Sequence, residues 1–375
     1  MKILFVLPSG DTIYGSGRSI SHLARALDVQ FDLLIGKSLI HKVDEKQIRE
    51  SFGDRLERIY QLWLPNANFY YGKSRNVFIK VAAVHKYCMW LIDKRIFENI
   101  IQQNDYTVIH LNSIILAPMV SSTYKMILHV REVFEGNRLQ HWYMEKKLRQ
   151  TQGVIFINPS VRAMFDNCGI NEKIIPNPFE MTHLADVDTA KVRKKLGLQP
   201  GETIFAILGR YEDRNGTEFI VNTFHKTKNK RAVLLVVGDI TLKERKTVEH
   251  ITGGDSRIRL LGEWKEPGPI FAISDYILRG ERFFSGFSRT VYEGLYSGCR
   301  VIFPGKREEA VDSLQYDEFR DNLLFYTPRD EDALIATIEQ CADHPVMQRR
   351  FLSNREEYVN AYMKFLADLR LSHEK

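Results

Sequence analysis

Short runs of apolar and β-branched residues alternate with longer amphipathic stretches along almost the whole chain. In the first half these runs are Ile3–Leu7, Phe31–Ile35, Val108–Leu111, Met126–Val130 and Val154–Ile157. In the second half they are Ile204–Leu208, Ala232–Val237, Ile258–Leu261, Tyr276–Leu278 and Val301–Phe303. Buried strands that alternate with helices are typical of βα units in a mainly parallel sheet. The sequence therefore predicts an α/β protein with two doubly wound, Rossmann-like sheets.

A segment rich in proline separates the two halves. In Ile175-Pro176-Asn177-Pro178 the prolines end a strand, and a polar stretch follows to about Gln199. A chain of 375 residues is long enough for two domains, each with its own core. We predict an N-terminal domain over 1–180 and a C-terminal domain over 181–349, with a terminal helix over about 350–375 that can pack back on the first domain.

The cysteines and the lack of long apolar runs indicate where the protein works. The four cysteines lie far apart, which disfavours a disulfide framework or a zinc site and favours a reducing compartment. The apolar N-terminal run is too short for a signal peptide, and no stretch reaches the roughly 18 apolar residues of a membrane span. We expect a cytoplasmic protein, with any membrane contact peripheral and on the inner face.

All of the net positive charge lies in the first half. Residues 1–180 carry 23 Lys+Arg and 17 Asp+Glu, whereas 181–375 carry 30 of each. Such an excess can attract an anionic partner or membrane surface, although a solvated surface is the commoner cause of so small an imbalance. No nucleic acid partner is expected.

The first loop places glycines before a helix. Gly15, Ser16 and Gly17 follow a predicted strand, so their backbone amides can approach an anion at the positive end of the next helix. Ile20 stands where a dinucleotide fingerprint requires its third glycine, which disfavours a nicotinamide dehydrogenase. A tight turn without a ligand is the other interpretation.

In the second half, Gly209 and Arg210 end a predicted strand, and Gly216 precedes a helix. An arginine at the carboxyl end of a parallel strand points toward the crevice where open α/β sheets bind ligands, and its planar fork suits a diphosphate. The alternative is a surface ion pair with Glu212 or Asp213.

The most informative segment runs from Ser285 to Gly298, between two predicted strands. Ser288 can cap a helix that begins near Arg289, so the amides from Gly286 onward form an anion-binding nest at its positive end. Glu293 lies on the same helix, where its carboxylate can accept hydrogen bonds from ribose hydroxyls. The alternative is a helix salt bridge between Glu293 and Arg289.

At this point the sequence resembles family 4 of the retaining nucleotide-sugar glycosyltransferases, which have the GT-B architecture of two Rossmann-like domains facing a cleft. Four segments carry the resemblance: Gly15-Ser16-Gly17-Arg18 with Leu23-Ala24, Ile175-Pro176-Asn177-Pro178, Leu208-Gly209-Arg210 to Asn215-Gly216, and Ser285-Gly286-Phe287-Ser288 to Glu293. They are similar, in order and spacing, to the family's glycine loop, interdomain Ile-Pro-Asn, Gly-Arg…Lys-Gly and Glu-Gly-Phe-Gly…Glu motifs.

The resemblance implies a role for each matching residue. Arg210 would bind the donor phosphates, the Gly286–Ser288 backbone the phosphate or the transferred sugar, and Glu293 the ribose. Arg210, Arg214 and Glu293 are the predicted catalytic residues. The predicted donor-binding residues are Gly15, Ser16, Gly17, Gly209, Asn215, Ser285, Gly286, Phe287, Ser288 and Arg289.

Two positions depart from the family pattern. Ser285 replaces the first motif glutamate, and Asn215 replaces the phosphate lysine, for which the adjacent Arg214 can substitute. The implied reaction is metal-independent, retaining transfer of a sugar from a nucleotide-sugar donor to a saccharide or lipid-linked acceptor. The expected context is cell-surface polysaccharide synthesis. No cofactor is expected.

Four polar residues follow strands of the first half and are predicted to face the cleft on the acceptor side. They are His110, His129, Arg131 and Glu132. The resembling family often has a His-Asp pair near the second site, and Arg131-Glu132 occupy that place. A histidine at a strand end is more often a structural residue, which is the alternative.

Other classes of protein fit less well. Asp186-Val187-Asp188 matches an Asp-x-Asp metal motif, but no strand precedes it, so no metal site is predicted. A GT-B-like epimerase or phosphorylase should show a further acid pair or a cofactor lysine, and neither is identifiable. A non-catalytic nucleotide- or sugar-binding subunit is consistent with Ser285 and Asn215.

One basic segment, Lys73–Arg95, carries six Lys+Arg and one Asp, interleaved with aromatic and aliphatic residues. It predicts one long helix, for which there are two interpretations. Its apolar face can lie in a headgroup layer while its lysines contact anionic lipid. The slightly favoured interpretation places one face in the domain core, formed by Phe78, Val81, Ala82, His85, Met89 and Ile92.

Overall fold

The computed structural model forms two compact units, one of Met1–Pro178 with Arg355–Lys375 and one of Phe179–Asn354. The residues it describes are 1–10, 15–38, 43–65, 77–134, 136–165, 171–211, 216–264, 266–281, 288–306, 317–346 and 349–371. Each unit is an α/β sandwich built on one parallel sheet.

The N-terminal unit has a sheet of seven strands in the order β3-β2-β1-β4-β5-β6-β7, all parallel. The strands are β1 (Lys2–Leu7), β2 (Gln30–Gly36), β3 (Leu56–Leu62), β4 (Val108–Leu111), β5 (Met126–Val130), β6 (Gly153–Phe156) and β7 (Glu172–Ile174). The helices are α1 (Gly15–Ala26), α2 (Glu45–Phe52), α3 (Val77–Gln103), α4 (Arg138–Leu148), α5 (Pro159–Arg162) and the last helix of the chain, α12 (Arg355–Leu371).

The C-terminal unit has a parallel sheet of six strands in the order β10-β9-β8-β11-β12-β13. The strands are β8 (Thr203–Leu208), β9 (Ala232–Val237), β10 (Ile258–Gly262), β11 (Tyr276–Leu278), β12 (Arg300–Pro304) and β13 (Leu323–Tyr326). The helices are α6 (Thr189–Lys195), α7 (Thr217–His225), α8 (Leu242–Thr252), α9 (Gly268–Ile273), α10 (Arg289–Tyr296) and α11 (Glu331–Ala342).

Both faces of each sheet are covered, as a parallel sheet with helical crossovers requires. In β1, Leu4 and Val6 point into one core cluster while Ile3 and Phe5 point into another. The C-terminal sheet likewise separates two clusters. All ten predicted apolar runs form strands, so the predicted pair of Rossmann-like sheets is confirmed.

The strand order fixes where a ligand would bind. Each sheet runs outward in both directions from its first strand, β1 or β8, so it has a topological switch point beside that strand. Open α/β sheets bind ligands outside the carboxyl ends of the strands at this point. In the C-terminal unit the switch point lies between β8 and β11.

The last helix, α12, belongs to the N-terminal unit. Tyr358, Tyr362 and Phe365 are buried in the same cluster as Phe5. A Cβ atom on Gly153 would come within 2.6 Å of the Phe365 ring, so α12 lies tightly against the start of β6.

The prediction of which face of α3 packs in the core is wrong at Val81 and Ile92. Val81 and Ile92 are 61% and 66% exposed, and the buried side chains of this helix include Trp90 and Asp93. The Asp93 carboxylate accepts a hydrogen bond from the backbone N–H of Trp63 at 2.8 Å, which turns this charged residue inward. Because α3 has apolar residues on all sides, a buried aspartate rather than apolar spacing decides which face packs.

For the other residues of that predicted face, His85 is exposed and Met89 is half-buried. The side chains of Phe78 and Ala82 lie outside the described residues. Within the part of the chain that the structure describes, no helix combines the length and the apolar character needed to cross a membrane.

Candidate functional sites at the strand ends

Two glycines lie in contact at the ends of β8 and β9. Gly209 has φ 137° and Gly238 has φ 146°, a backbone region open essentially to glycine. A Cβ atom on Gly238 would lie 1.8 Å from the Gly209 carbonyl oxygen. The two backbones therefore approach each other as closely as only glycine allows. Arg210 follows Gly209 directly and is exposed.

A second glycine pair holds α7 at the switch point. Gly216 is the N-cap residue of α7 in the left-handed conformation, with φ 67°. A Cβ atom there would lie 1.8 Å from the carbonyl oxygen of Gly280, which comes just after β11. The positive end of α7 is therefore fixed beside the carboxyl end of β11.

Sequence reasoning missed an ion pair beside this glycine pair. Arg279 is 4% exposed, and its Nε donates to Glu281 Oε1 at 2.7 Å. The Glu281 Oε2 atom is buried and has no hydrogen-bond partner among the described residues. The ion pair could have been predicted from the segment Arg279-Gly280-Glu281. It places two opposite charges directly after a fully buried strand.

Helix α10 begins at Arg289, near the predicted position, with Ser288 as its N-cap residue. The Ser288 hydroxyl does not form the predicted side-chain cap, and it is buried without a hydrogen-bond partner among the described residues. A Cβ atom on Gly294 would lie 2.7 Å from the Ile277 side chain, so glycine lets α10 lie close to β11. The positive end of a helix that packs tightly on the sheet thus carries a hydroxyl for which the described residues supply no hydrogen-bond partner.

Glu293 and Arg289 form the salt bridge that was the alternative to ribose binding. Arg289 Nε lies 2.9 Å from Glu293 Oε1, and the two side chains are 12% and 6% exposed. The Arg289 guanidinium also lies 5.0 Å from the centre of the Phe179 ring, which stacks on Tyr296. The Glu293 carboxylate is therefore held in a buried ion pair beside two stacked aromatic rings.

Several predicted donor residues lie outside the described residues. They are Arg214, Asn215, Ser285, Gly286 and Phe287. Glu212 and Asp213, the alternative partners of Arg210, are also outside them. The predicted contacts of these residues with the donor therefore stay predictions.

The N-terminal glycines lie within a helix rather than before it. Helix α1 begins at Gly15, which places Gly15, Ser16 and Gly17 in its first turn after β1. The first N–H groups of a helix have no partner within the helix, so these residues still carry backbone donors without an intrahelical acceptor.

His110 in β4 and His129 in β5 are fully buried, with neighbouring rings 5.4 Å apart. His110 Nδ1 lies 2.8 Å from the hydroxyl of Tyr362 on α12, and the two rings stack. Burial, followed by the charge of Arg131, holds the pKa of His110 well below its ordinary value, and the same two causes, with His110, act on the pKa of His129. Both rings are therefore neutral at pH 7.

Arg131 links the two buried histidines to Asn177. Its Nε donates to Asn112 Oδ1 at 2.7 Å, its Nη2 lies 3.1 Å from His129 Nδ1, and its Nη1 donates to Asn177 Oδ1. An arginine can only donate, so His129 Nδ1 accepts and the ring carries its proton on Nε2. Burial lowers the pKa of Arg131 without removing its charge at neutral pH.

Glu132 stabilises the backbone after β4. Its carboxylate accepts from the Ser113 hydroxyl at 2.7 Å and from the Ile114 N–H at 3.2 Å, at the start of a 3₁₀ helix over Ile114–Met119. Burial raises the pKa of this carboxyl. The structure therefore unites the four residues predicted for the acceptor side in one internal network. Direct contact of either buried histidine with an acceptor is not supported, and their placement fits the structural alternative.

The Asp-x-Asp motif has a structural explanation. Asp188 is the N-cap residue of α6 and accepts from the Lys191 N–H at 2.9 Å. Across the described ranges, no group of three or more His, Cys, Asp and Glu side chains is placed to hold a metal ion.

Comparison with known proteins identifies the fold. No family model and no curated protein matches the sequence. The structure is similar to that of HepE from Anabaena, solved in complex with UDP and glucose, with a TM-score of 0.69, 14% identity and coverage of 98% of this chain and 99% of HepE. It is also similar to sucrose-phosphate synthase from Thermosynechococcus elongatus, with a TM-score of 0.70, 16% identity and coverage of 100% and 98%.

A third similar structure is the lipopolysaccharide outer core galactosyltransferase WaaB, with a TM-score of 0.60, 13% identity and complete coverage of both chains. Together with the two parallel sheets, these similarities confirm the predicted GT-B fold. At such identities they establish the fold, and the fold by itself does not determine the reaction.

Proposed function

We propose that this protein is a glycosyltransferase whose C-terminal unit binds a nucleotide-sugar donor. The observation that carries the proposal is the carboxyl edge of the six-stranded sheet. Two glycine pairs there bring backbones into contact, and the start of α7 lies at the switch point. The Ser288 hydroxyl at the start of α10 is buried without a hydrogen-bond partner among the described residues, and Arg210 lies exposed after β8.

These features suit a diphosphate. Helix N-termini favour anions through their unpaired N–H groups and the helix dipole, and an exposed guanidinium can bind phosphate oxygens in bidentate fashion. HepE was solved with UDP and glucose, and a trehalose-6-phosphate protein of the same fold with UDP-2-fluoro glucose. We therefore propose a nucleoside diphosphate sugar as the donor.

In the proposed reaction the bond between the anomeric carbon and the β-phosphate oxygen breaks, while an acceptor hydroxyl forms a new bond to that carbon. Negative charge grows on the β-phosphate, and Arg210 and the start of α10 would stabilise it, with Arg214 as a further predicted contributor. Glu293 would accept ribose hydroxyl hydrogen bonds while Arg289 holds its carboxylate in place.

The finer assignments rest on the sequence motifs. We propose membership of glycosyltransferase family 4, retention at the anomeric carbon with the leaving phosphate taking the acceptor proton, and independence from divalent metal. A saccharide or lipid-linked acceptor of cell-surface polysaccharide synthesis and a cytoplasmic location complete the proposal. Cys88, Cys299 and Cys341 are free thiols, in keeping with a reducing compartment.

The first experiment is a thermal-shift screen with UDP-, GDP-, ADP- and dTDP-sugars, because a ligand of the native state raises the melting temperature. The stabilising donor is then incubated with candidate acceptors, with and without EDTA, and nucleotide release is measured. Activity that EDTA abolishes and manganese restores contradicts metal independence. Absence of stabilisation by all four donors contradicts the proposal itself.

A non-catalytic nucleotide-binding subunit is a second candidate, favoured by two observations. Glu293 is already paired with Arg289, and Ser285 and Asn215 replace two charged residues of the resembling family. This candidate predicts donor stabilisation without release of nucleotide to any acceptor or to water. The turnover experiment separates the two candidates.

A further inference from the structure

Phe179 is the residue at which the chain enters the C-terminal unit, and Asn354 is the residue at which it leaves. The two residues are bonded to each other. The Phe179 N–H donates to Asn354 Oδ1 at 2.7 Å, and the Asn354 N–H donates to the Phe179 carbonyl oxygen at 3.1 Å. Phe179 belongs to no helix or strand, so this reciprocal pair is what fixes its backbone.

The Phe179 ring is fully buried against helix α10. It stacks on Tyr296 with ring centres 5.2 Å apart, and it lies tilted against Tyr292 at 5.4 Å. The Leu352 N–H donates to the Tyr296 carbonyl oxygen at 2.8 Å, so the segment that contains Asn354 is bonded to the same helix. The ring therefore has one well-defined position on α10.

The Arg289 side chain contacts both this ring and Glu293. Its guanidinium carbon lies 5.0 Å from the centre of the Phe179 ring, and its Nε lies 2.9 Å from Glu293 Oε1. The two charged side chains are largely buried. An aromatic face attracts a cation, and the attraction is greater where water is excluded.

Local helix chemistry does not favour the placement of Arg289. It is the first residue of α10, where the helix dipole disfavours a positive charge. A pair at four-residue spacing is also weaker when the basic residue precedes the acidic one. A buried ion pair needs further favourable contacts to offset its lost hydration. The Phe179 ring supplies such a contact from a distant part of the sequence.

We propose that Phe179 is a positioning residue for donor binding. Its ring holds the Arg289 guanidinium, and the guanidinium holds the Glu293 carboxylate where the ribose hydroxyls of the donor bind. The inference rests on the proposed function, in which Glu293 is the ribose ligand. The alternative is that the Phe179 ring only packs on the two tyrosines. Packing alone predicts that the charge distribution of the ring has no effect on donor affinity.

The test replaces Phe179 with phenylalanines that carry one, two or three ring fluorines, which weaken the attraction for a cation and nearly preserve the ring shape. Calorimetry measures the affinity for UDP, GDP, ADP and dTDP, each compared with its 2′,3′-dideoxy form. For the nucleotide that binds, we expect affinity to fall step by step, by about fivefold with three fluorines. Affinity for the dideoxy form should stay constant, because it lacks the hydroxyls that Glu293 would bind.

The matched control is the same fluorine series at Phe224. This ring is fully buried in the same unit, with the Arg257 guanidinium 5.8 Å from its centre, and Arg257 pairs with Asp255 at 2.7 Å. Nucleotide affinity should not change in this series. In an Arg289→Ala background the Phe179 series should also lose its effect, because the cation is absent.

Three outcomes overturn the positioning role while a donor still binds. They are nucleotide affinity that is constant through the Phe179 series, a decrease that persists unchanged in Arg289→Ala, and equal decreases for the nucleotide and its dideoxy form. Absence of binding by all four nucleotides and by all four donors of the thermal-shift screen overturns the proposed function, and the positioning role with it. The two failures are therefore distinguishable.

Discussion

The two parallel sheets have the same architecture, but their carboxyl edges differ in what fills them. After β4 and β5, the N-terminal unit fills the edge with its own side chains, since Arg131 binds Asn112 and His129 and both histidines are buried. After β8 and β11, the C-terminal unit brings glycine backbones into contact and leaves the Ser288 hydroxyl unpartnered among the described residues. The carboxyl edge beside the first strand is thus present in both sheets. The side chains at that edge decide whether it is filled as part of the core or stays available as a site.

The largest expected effect comes from adding one methyl group where the C-terminal glycines meet. In Gly216→Ala the new Cβ would lie 1.8 Å from the Gly280 carbonyl oxygen at φ 67°, whereas in Gly253→Ala, at φ 56°, no atom lies within 4 Å. Both variants should lose roughly 1–2 kcal/mol from the left-handed backbone. Gly216→Ala should lose a further 1–3 kcal/mol, roughly, from overpacking.

Urea unfolding of the C-terminal unit measures the difference, and donor affinity by calorimetry shows whether the site moves with it. Equal losses of unfolding free energy in the two variants would mean that α7 is not held by the Gly280 contact.

The second prediction concerns the pH dependence of the N-terminal unit. Burial keeps the pKa of His110 and His129 well below 6.5 in the folded state, so only the unfolded state takes up their protons as the pH falls below 6.5. The unfolding free energy should therefore fall with decreasing pH, by at most roughly 2 kcal/mol for each histidine at pH 5. The raised pKa of Glu132 works in the opposite direction and offsets part of this loss.

The measurement is the urea midpoint of the N-terminal transition at pH 7 and pH 5. His110→Gln should reduce the pH dependence by about the share of one histidine, whereas His250→Gln, at an exposed position, should retain all of it. Ring protons of His110 or His129 that titrate near pH 6.5 in NMR spectra would contradict the buried, neutral assignment.

The third prediction compares two exposed arginines at opposite edges of the C-terminal sheet. Arg210 follows β8 at the carboxyl edge, and Arg231 precedes β9 at the amino edge. Arg210→Ala should weaken donor binding by roughly 1.5–3 kcal/mol, the range for a hydrogen bond to a charged group. Arg231→Ala should leave it unchanged. Calorimetry with the donor found by thermal shift tests both, and matched affinities would place the donor elsewhere.

The smallest expected effect is that of Ser288→Ala. Because its hydroxyl makes no hydrogen bond with the described residues, its removal should leave the unfolding free energy nearly unchanged. If the hydroxyl binds the donor, donor affinity should fall by roughly 0.5–1.5 kcal/mol. Ser297→Ala is the contrast, because that hydroxyl donates to the Glu293 carbonyl at 2.7 Å, so stability should fall. A loss of stability in Ser288→Ala with unchanged affinity would assign this hydroxyl to the fold.

The part of the candidate site that lies within one segment of the sequence could be predicted. The part formed where two distant segments meet could not. The start of α10 near Arg289 could be predicted from Ser288 and the apolar pattern that follows. The contact of Gly216 with Gly280 could not, because these residues are 64 positions apart and their neighbours in sequence do not indicate the pairing.

A contact between distant segments also explains why the core face of α3 was predicted wrongly. Apolar residues occur around the whole helix, so their spacing fitted more than one orientation. The hydrogen bond from Trp63 N–H to Asp93 selects the orientation, and it joins residues that the sequence separates by 30 positions. As a result Val81 and Ile92, predicted for the core, became part of an exposed surface.

The sequence by itself determined the ten predicted strands and the pair of parallel sheets, because burial on both faces requires apolar runs whatever their neighbours are. It also brought the predicted polar residues to the strand ends. Only the tertiary structure decided that His110 would be enclosed by Tyr362 of α12, while Ser288 would stay unpartnered among the described residues. Whether a polar group is satisfied internally depends on residues distant in sequence, and that contact is set by packing rather than by local pattern.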